Sequence, residues 1–324
     1  MKILVCGGAG YIGAHMCKML KAASHEVTVF DNLSTGHEGS VRWGRLVKGD
    51  LLEPADLDQA FTNGPYSAVM HFAANCLVEE SVRQPGLYYR NNVVGTLNLL
   101  EAMARHNVTN LVFSSSCSVY GMAQYTPIDE LHPKNPVNPY GSTKRMAEEM
   151  FPYFDSAHGI RSVSLRYFNA AGADPESELG ENHEPETHLI PNILVSVLKG
   201  KSHPLNVYGN DYETPDGTCV RDYVHVVDLC DAHLKALGYL VDGNKTDVFN
   251  LGSGRGHSIL DVIQSVRRVT GHEISYSLAA RRPGDPAILV AAAEKANRML
   301  QWKPGYTSLD RIIETAWHWH SKNH

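Results

Sequence analysis

Two side chains in the stretch Tyr140-Gly-Ser-Thr-Lys144 have the types and the spacing for acid–base work. Four residues apart, they share one face of a helix. A free tyrosine titrates near 10 and is a poor base at neutral pH. An ammonium one turn away favours the phenolate, and a second positive charge in the same cleft favours it further. Lowering the tyrosine by about three pH units asks for about 4 kcal/mol of differential stabilisation, within reach of two cations in a water-poor cleft. Such a phenolate could take a proton from an alcohol while hydride leaves the same carbon. Upstream, Phe113-Ser-Ser-Ser-Cys-Ser-Val-Tyr120 carries hydroxyls at the end of an apolar run. Ser116 could hydrogen-bond the reacting oxygen and position it against Tyr140. Taken alone, Tyr-x-x-x-Lys is common by chance, and an ordinary helix start is the bland alternative.

A departing hydride needs an acceptor, and the first residues of the chain supply a place for one. Ile3, Leu4, Val5 and Cys6 form an apolar run without alternation, as in a strand buried on both faces. Gly7, Gly10 and Gly13 follow at intervals of three, and Tyr11 to Ala22 then takes up helical spacing. Glycines between a strand and a helix let backbone N–H groups approach a pyrophosphate at the helix N-terminus. The spacing is G-x-x-G-x-x-G, and a turn without a ligand is its structural alternative. A second apolar run, Val27 to Phe30, ends in Asp31. An acidic residue there can accept hydrogen bonds from a ribose and would repel the extra phosphate of NADP, which favours NAD. An oxidised nicotinamide would also supply the second positive charge beside Tyr140.

Strand and helix alternate through the first half. Expected strands are Lys2–Cys6, Glu26–Asp31, Arg45–Lys48, Ala68–Phe72, Asn110–Ser114 and Arg161–Arg166; expected helices are Tyr11–Ala22, Pro54–Phe61, Tyr89–Ala104 and Tyr140–Phe154. That order predicts an α/β fold with a doubly wound parallel sheet, its ligands at the carboxyl ends of the strands. Asp31, Asp50, Phe72 to Ala74 and Ser114 to Ser116 all fall at such ends. After Phe168 the pattern changes. Asp174 to Thr187 reads as a long polar surface loop, followed by a helix at Leu189–Lys199 and short strands near Leu205–Asp211 and Thr218–Val224. Further helices are expected at Val227–Tyr239, Ser258–Thr270 and Leu309–Lys322. The division is therefore a dinucleotide-binding domain, 1–168, and a smaller mixed α/β substrate domain, 169–324, with segments that can return to the first.

The 324 residues can bury a sizeable core, and a hydrophobic fraction of 43% with 20% charged residues is that of a soluble globular protein. A net charge of −6 gives no basic footprint for nucleic acid or an anionic membrane. No apolar run is long enough to span a bilayer, and a strand and glycine turn at the start do not read as a signal peptide. The six scattered cysteines form no C-x-x-C pair and read as reduced residues of a cytoplasmic protein. The seventeen histidines show no metal-ligand spacing, so no metal is expected.

Taken together the motifs resemble the extended short-chain dehydrogenase/reductase family, and within it the nucleotide-sugar epimerases that act as UDP-glucose 4-epimerases. The likeness spans nearly the whole chain. Its most specific pieces are Gly7-Gly-Ala-Gly-Tyr-Ile-Gly13, Asp31-Asn-Leu-Ser-Thr-Gly36, His71-Phe-Ala-Ala74, Ser114-Ser-Ser-Cys-Ser-Val-Tyr-Gly121, Tyr140-Gly-Ser-Thr-Lys144, Leu165-Arg-Tyr-Phe-Asn169, Gly217-Thr-Cys-Val-Arg-Asp-Tyr-Val-His-Val226 and Arg281-Arg-Pro-Gly-Asp285. The resemblance implies an NAD site lined by Tyr11, Ile12, Asp31, Asn32, Leu33, Ser34, Thr35, Gly36, Asp50, Leu51, Phe72, Ala73, Ala74, Asn91 and Phe168, beside the catalytic Ser116, Tyr140 and Lys144. It implies that Asn169, His188, Leu189, Arg221, Arg282, Asp285 and Leu289 hold a UDP-hexose, with Asn206 and Tyr208 near the uracil. Guanidinium forks suit a diphosphate, although a structural salt bridge would also account for Arg221 and Arg282. The implied reaction is reversible epimerisation at carbon 4 through a 4-keto sugar. The family's habit implies a homodimer, with Tyr89–Ala104 and Tyr140–Phe154 as candidate interface helices.

Several positions depart from the family pattern. Cys6 replaces a common threonine. Asn75-Cys76 stands where some epimerases have Leu-Lys, which implies weaker cofactor retention. His188 stands where others have a substrate-contacting asparagine. Leu289 leaves more room beside the sugar than the tyrosine of some members, which implies side activity on UDP-N-acetylhexosamines. A 4,6-dehydratase would need an acid–base pair where this chain has Cys117-Ser118, and a uronate enzyme would need a carboxylate contact that no residue here identifies. A non-catalytic NAD-binding protein would have no use for both Tyr140 and Lys144.

Overall fold

The structure is a computed structural model and describes residues 1–200, 205–282 and 284–323. Its frame is a seven-stranded parallel sheet. The strands are β1 (Lys2–Cys6), β2 (Glu26–Asp31), β3 (Arg45–Lys48), β4 (Ala68–His71), β5 (Asn110–Ser114), β6 (Arg161–Tyr167) and, after three short strands described below, β10 (Asp247–Leu251). Their order is β10-β6-β5-β4-β1-β2-β3, with Lys2 opposite Glu26 and Ile3 opposite Ala68. The unbroken apolar run of β1 has a simple cause. Ile3 and Val5 pack into one core, with Met16, Leu20, Leu229 and Leu237, while Leu4 and Cys6 pack into another, with Leu57, Leu99, Met103 and Phe151. Period-two side chains with helices on both faces leave no position for a polar residue.

Those helices are α1 (Tyr11–Ala22) and α8 (Val226–Val241) on one face, and α2 (Pro54–Phe61), α5 (Gly95–Arg105) and α6 (Pro139–His158) on the other. Two short helices, α3 (Val78–Arg83) and α4 (Pro85–Tyr88), precede a wide π-helical turn, Tyr89–Val94, that runs into α5. The helix expected over Tyr89–Ala104 is thus a π turn followed by an α-helix. The chain winds from β1 to β3 on one side and from β4 outward on the other, so the order reverses between β1 and β4. In open α/β sheets the ligand crevice lies outside the carboxyl ends at such a reversal.

The remaining elements form a smaller body. They are β7 (Asn169–Ala171), α7 (Leu189–Lys199), β8 (Leu205–Tyr208), β9 (Val220–His225), β11 (Gly256–Ser258), α9 (Ile259–Thr270), β12 (Tyr276–Ala279), β13 (Ile288–Leu289) and α11 (Leu309–Asn323), whereas α10 (Glu294–Leu300) packs on β10 and α8 in the core of the large sheet. Strand β9 pairs with β7, β11 and β13, and β8 pairs with β12. A separate core of Ile190, Ile193, Leu194, Val262, Val266, Ile312 and Ile313 holds this body together. Within it, β10 and α8 return to the large sheet, on which α8 packs beside α1. Among the described residues no helix is long and apolar enough to cross a membrane.

Candidate functional site

The glycine turn between β1 and α1 is set by close approach. Gly7 has φ +79°, and a Cβ there would stand 2.5 Å from Ala73 N; a Cβ on Gly13 would stand 2.0 Å from Gly7 O. At Gly10 the same atom would meet only Gly7 O, at 3.5 Å, so the turn is closed inward and open outward. Asp31, buried at the end of β2, accepts the Ala9 N–H and the Leu33 N–H, both at 2.9 Å. It thereby clamps the glycine turn while each oxygen keeps a lone pair for another donor. Asn32 donates to Asp50 at 3.0 Å and accepts from Ser34 N at 2.9 Å, and His37 N–H reaches Ala9 O at 3.0 Å, so Thr35 and Gly36 fold back over the turn. Leu51 follows Asp50 after β3 and is buried, its carbonyl taken by Asn98 at 2.9 Å. Phe72, Ala73 and Ala74 leave β4 directly against Gly7. A cradle that excludes a Cβ at Gly7 and Gly13, opens at Gly10 and carries a carboxylate on the next strand fits a dinucleotide with a free ribose hydroxyl. Tyr11 and Ile12 begin α1 at its rim, and Phe168 closes the far side in a cluster with Cys117, Val119 and Tyr120.

The hydroxyl group is built two strands away. Asn138 caps α6 by accepting Gly141 N–H at 2.8 Å, and Pro139 fills the first turn, so Tyr140 and Lys144 sit at the helix start. A Cβ on Gly141 would stand 2.3 Å from Ser118 O, so only glycine lets α6 lie this close to the turn that carries Ser116. Ser116, Tyr140 and Lys144 are all buried. Burial pushes the Tyr140 hydroxyl well above its ordinary value of 10, with Tyr167 and Cys76 adding to the rise and a hydrogen bond from Ser116 opposing it. Lys144 is lowered by burial to about 8, with Cys76 and Glu148 pulling it back up. Its ammonium donates to Ser114 O at 2.8 Å and lies 5.9 Å from the centre of the Tyr140 ring. Loss of hydration is the largest effect on the phenol, ahead of its neighbouring groups.

Three features escaped sequence reasoning. Asn92, buried in the π turn beside Asn91, accepts from Asn75 N–H at 2.9 Å and donates to Asn75 O at 3.0 Å and Thr143 Oγ1 at 3.1 Å. It ties the segment after β4 to the helix carrying Tyr140. Tyr167 joins Ser114 Oγ at 2.9 Å. Arg166 and Glu148 form a buried ion pair, 2.5 Å at its shortest, that also engages Ser115 Oγ at 2.7 Å and Tyr120 OH at 2.8 Å. The doubled asparagine inside an apolar run was a usable signal for the first; the others depend on the fold.

The residues expected to hold a nucleotide sugar gather on the smaller body. Arg221, in β9, pairs with Asp285, and Leu289 stands beside it in register on β13. Arg282 stacks over the Tyr208 ring at 4.1 Å. Asn206 and Tyr208 both point out of β8 toward solvent, and Asn169 lies on β7 opposite Tyr223. His188 and Leu189 begin α7. Pro283, within the Arg281–Asp285 motif, lies outside the described residues.

The profile of the NAD dependent epimerase/dehydratase family matches residues 3–252. A UDP-glucose 4-epimerase of Lacticaseibacillus casei is 48% identical over 100% of this chain and 98% of its own length. Among solved structures, the Brucella ovis UDP-glucose 4-epimerase in complex with NAD superposes with a TM-score of 0.95 at 48% identity, covering 98% of each chain. The Bifidobacterium longum UDP-glucose 4-epimerase in complex with NAD+ and UDP gives 0.93 at 36% identity, over 100% of this chain and 99% of that one.

Proposed function

The chain belongs to the NAD dependent epimerase/dehydratase family, and from that premise we propose that it interconverts UDP-glucose and UDP-galactose by inverting carbon 4. The observation that carries this reading is the buried Tyr140 and Lys144 at the start of α6, packed by Gly141 against the turn of Ser116, at the carboxyl edge of a sheet whose first turn admits no Cβ at Gly7 or Gly13.

NAD, when bound, accepts and returns the hydride at carbon 4 and places a positive charge beside the phenol. Tyr140 takes the proton from the sugar 4-hydroxyl. Ser116 donates to the same oxygen and fixes its distance from Tyr140. Lys144, held by Ser114 O, places a second positive charge behind the phenol, which favours phenolate against the burial that raises it. Arg221, Arg282 and the residues around them anchor the diphosphate and uridine while the 4-keto sugar turns over. Once the ring has turned, the hydride comes back on the opposite face of carbon 4, which inverts the centre, and Tyr140 returns its proton to the 4-oxygen. The halves 1–168 and 169–324 divide these tasks, with α8 and β10 crossing back.

Leucine at 289, in register with Arg221, is smaller than the tyrosine of some family members, which supports side activity on UDP-N-acetylhexosamines. Leu87, Val94, Met146 and Tyr153 are exposed on α4, the π turn and α6, which supports a homodimer through these elements. All six cysteines are free thiols, in keeping with a reducing cytoplasm. The deciding experiment incubates purified protein with UDP-galactose and no added cofactor, then identifies the product. UDP-glucose is expected; unchanged UDP-galactose from NAD-loaded protein would reject the proposal.

A further inference from the structure

The polar segment expected as a surface loop before α7 turns inward at its second half. Glu181 is buried, and His183, Glu186 and His188 converge on it, with all four donor atoms within 4.8 Å of one another. Glu181 Oε1 stands 3.5 Å from His183 Nδ1 and 3.0 Å from His188 Nδ1, and Glu186 Oε2 stands 3.6 Å from His183 Nδ1. A tetrahedral zinc centre with bonds of about 2.0–2.1 Å has ligand-to-ligand edges of about 3.3 Å, which these separations bracket. His183 Nδ1 is buried and has no hydrogen-bond partner among the described residues. The other oxygen of Glu186 already accepts the N–H groups of Thr187 and His188, each at 2.8 Å, and lies 2.9 Å from His188 Nδ1. Backbone donors thus turn Glu186 Oε2 toward the centre, the kind of outer support that ligating carboxylates have. The Tyr11 ring packs edge-on against His183 at 6.4 Å and orients the imidazole.

We propose that Glu181, His183, Glu186 and His188 form a binding site for a borderline divalent cation, zinc by its two-imidazole, two-carboxylate donor set. Two carboxylates balance the charge of one such cation, whereas with neutral imidazoles alone they would be buried uncompensated. The rival balance is a pair of imidazolium ions. Burial opposes it, but Glu181 and Glu186 push His183 up to about 10. Zinc and protons therefore compete for the same nitrogens. The bound cation would fold residues 181–188 onto themselves at the entry to α7, holding His183 against Tyr11 at the start of α1. Its effect on the sugar pocket, through His188, rests on the functional reading above; its binding does not.

Full-length protein freed of metal by chelation is titrated with zinc chloride by calorimetry and with cobalt(II) by visible absorption. One zinc per chain is expected, with a rise in Tm. Cobalt should show d–d bands of nitrogen and oxygen ligation and no thiolate charge-transfer band; such a band would put the neighbouring Cys76 in the ligand set. His183→Ala and the shape-conserving Glu181→Gln should each weaken zinc binding by at least about tenfold, with wild-type circular dichroism showing that the variants fold. Absence of saturable uptake, equal uptake by both variants, or a thiolate band would overturn the site. Epimerase turnover is not the readout, so this result and the functional reading fail independently.

Discussion

Lys144 should carry a stability cost that is visible in pH dependence. It is buried, and its folded value lies near 8 against an ordinary 10.5. At about 1.36 kcal/mol per pH unit the difference is about 3 kcal/mol. The sign follows from proton counting: between about pH 8 and 10.5 the unfolded chain holds the lysine proton and the folded chain has released it, so stability rises with pH across that window. Below pH 8 both states are protonated and the full cost is present. Lys144→Met removes this ionisation. It also leaves Ser114 O without its donor, a loss of about 1–3 kcal/mol that does not vary with pH. Absolute stabilities at pH 7 therefore nearly offset, and the slope is the diagnostic. Urea unfolding followed by tryptophan fluorescence at pH 7, 8, 9 and 10 should show wild type gaining about 2–3 kcal/mol on the variant across the range. Parallel curves would refute the reasoning. A lysine retained at such a cost is what a group kept for chemistry looks like.

Glu148→Gln should cost about 3–5 kcal/mol in urea unfolding, because the Arg166 guanidinium stays buried with its countercharge gone; replacing both partners by methionine should recover most of it, and a cost below about 1 kcal/mol for the single change would contradict the ion pair's role. Gly13→Ala places a Cβ 2.0 Å from Gly7 O and should give protein that purifies without dinucleotide, read by absorbance after acid release. In assays at equal concentration, wild type should turn over UDP-N-acetylglucosamine beside UDP-glucose, and Leu289→Tyr should lose the former alone. Turnover of only the plain hexose by wild type ends that idea.

What was legible in the sequence was local. The glycine turn announced itself because backbone approach leaves one residue type at Gly7 and Gly13, and α1, α2 and α7 fall on their expected limits because helical periodicity and the Gly and Pro residues that bound it act over a few residues. The π turn at Tyr89–Val94 has no period to read; its asparagines were the trace it left. The return of Asp247–Leu251 to the sheet is settled by pairing with a strand more than eighty residues earlier, Asp247 opposite Val163. The Glu148–Arg166 pair likewise joins a helix to a strand, whereas Glu181, His183, Glu186 and His188 lie within eight residues whose polarity reads as a surface loop. Helical spacing reveals the charge beside Tyr140 but not how little water surrounds the phenol, which burial alone determines.

Everything proposed for the reaction turns on the Tyr140 hydroxyl. Tyr140→Phe deletes one oxygen and leaves the ring in its packing, so the purified variant should retain its dinucleotide and lose nearly all conversion of UDP-galactose. Conversion by dinucleotide-loaded Tyr140→Phe at close to the wild-type rate would contradict the account.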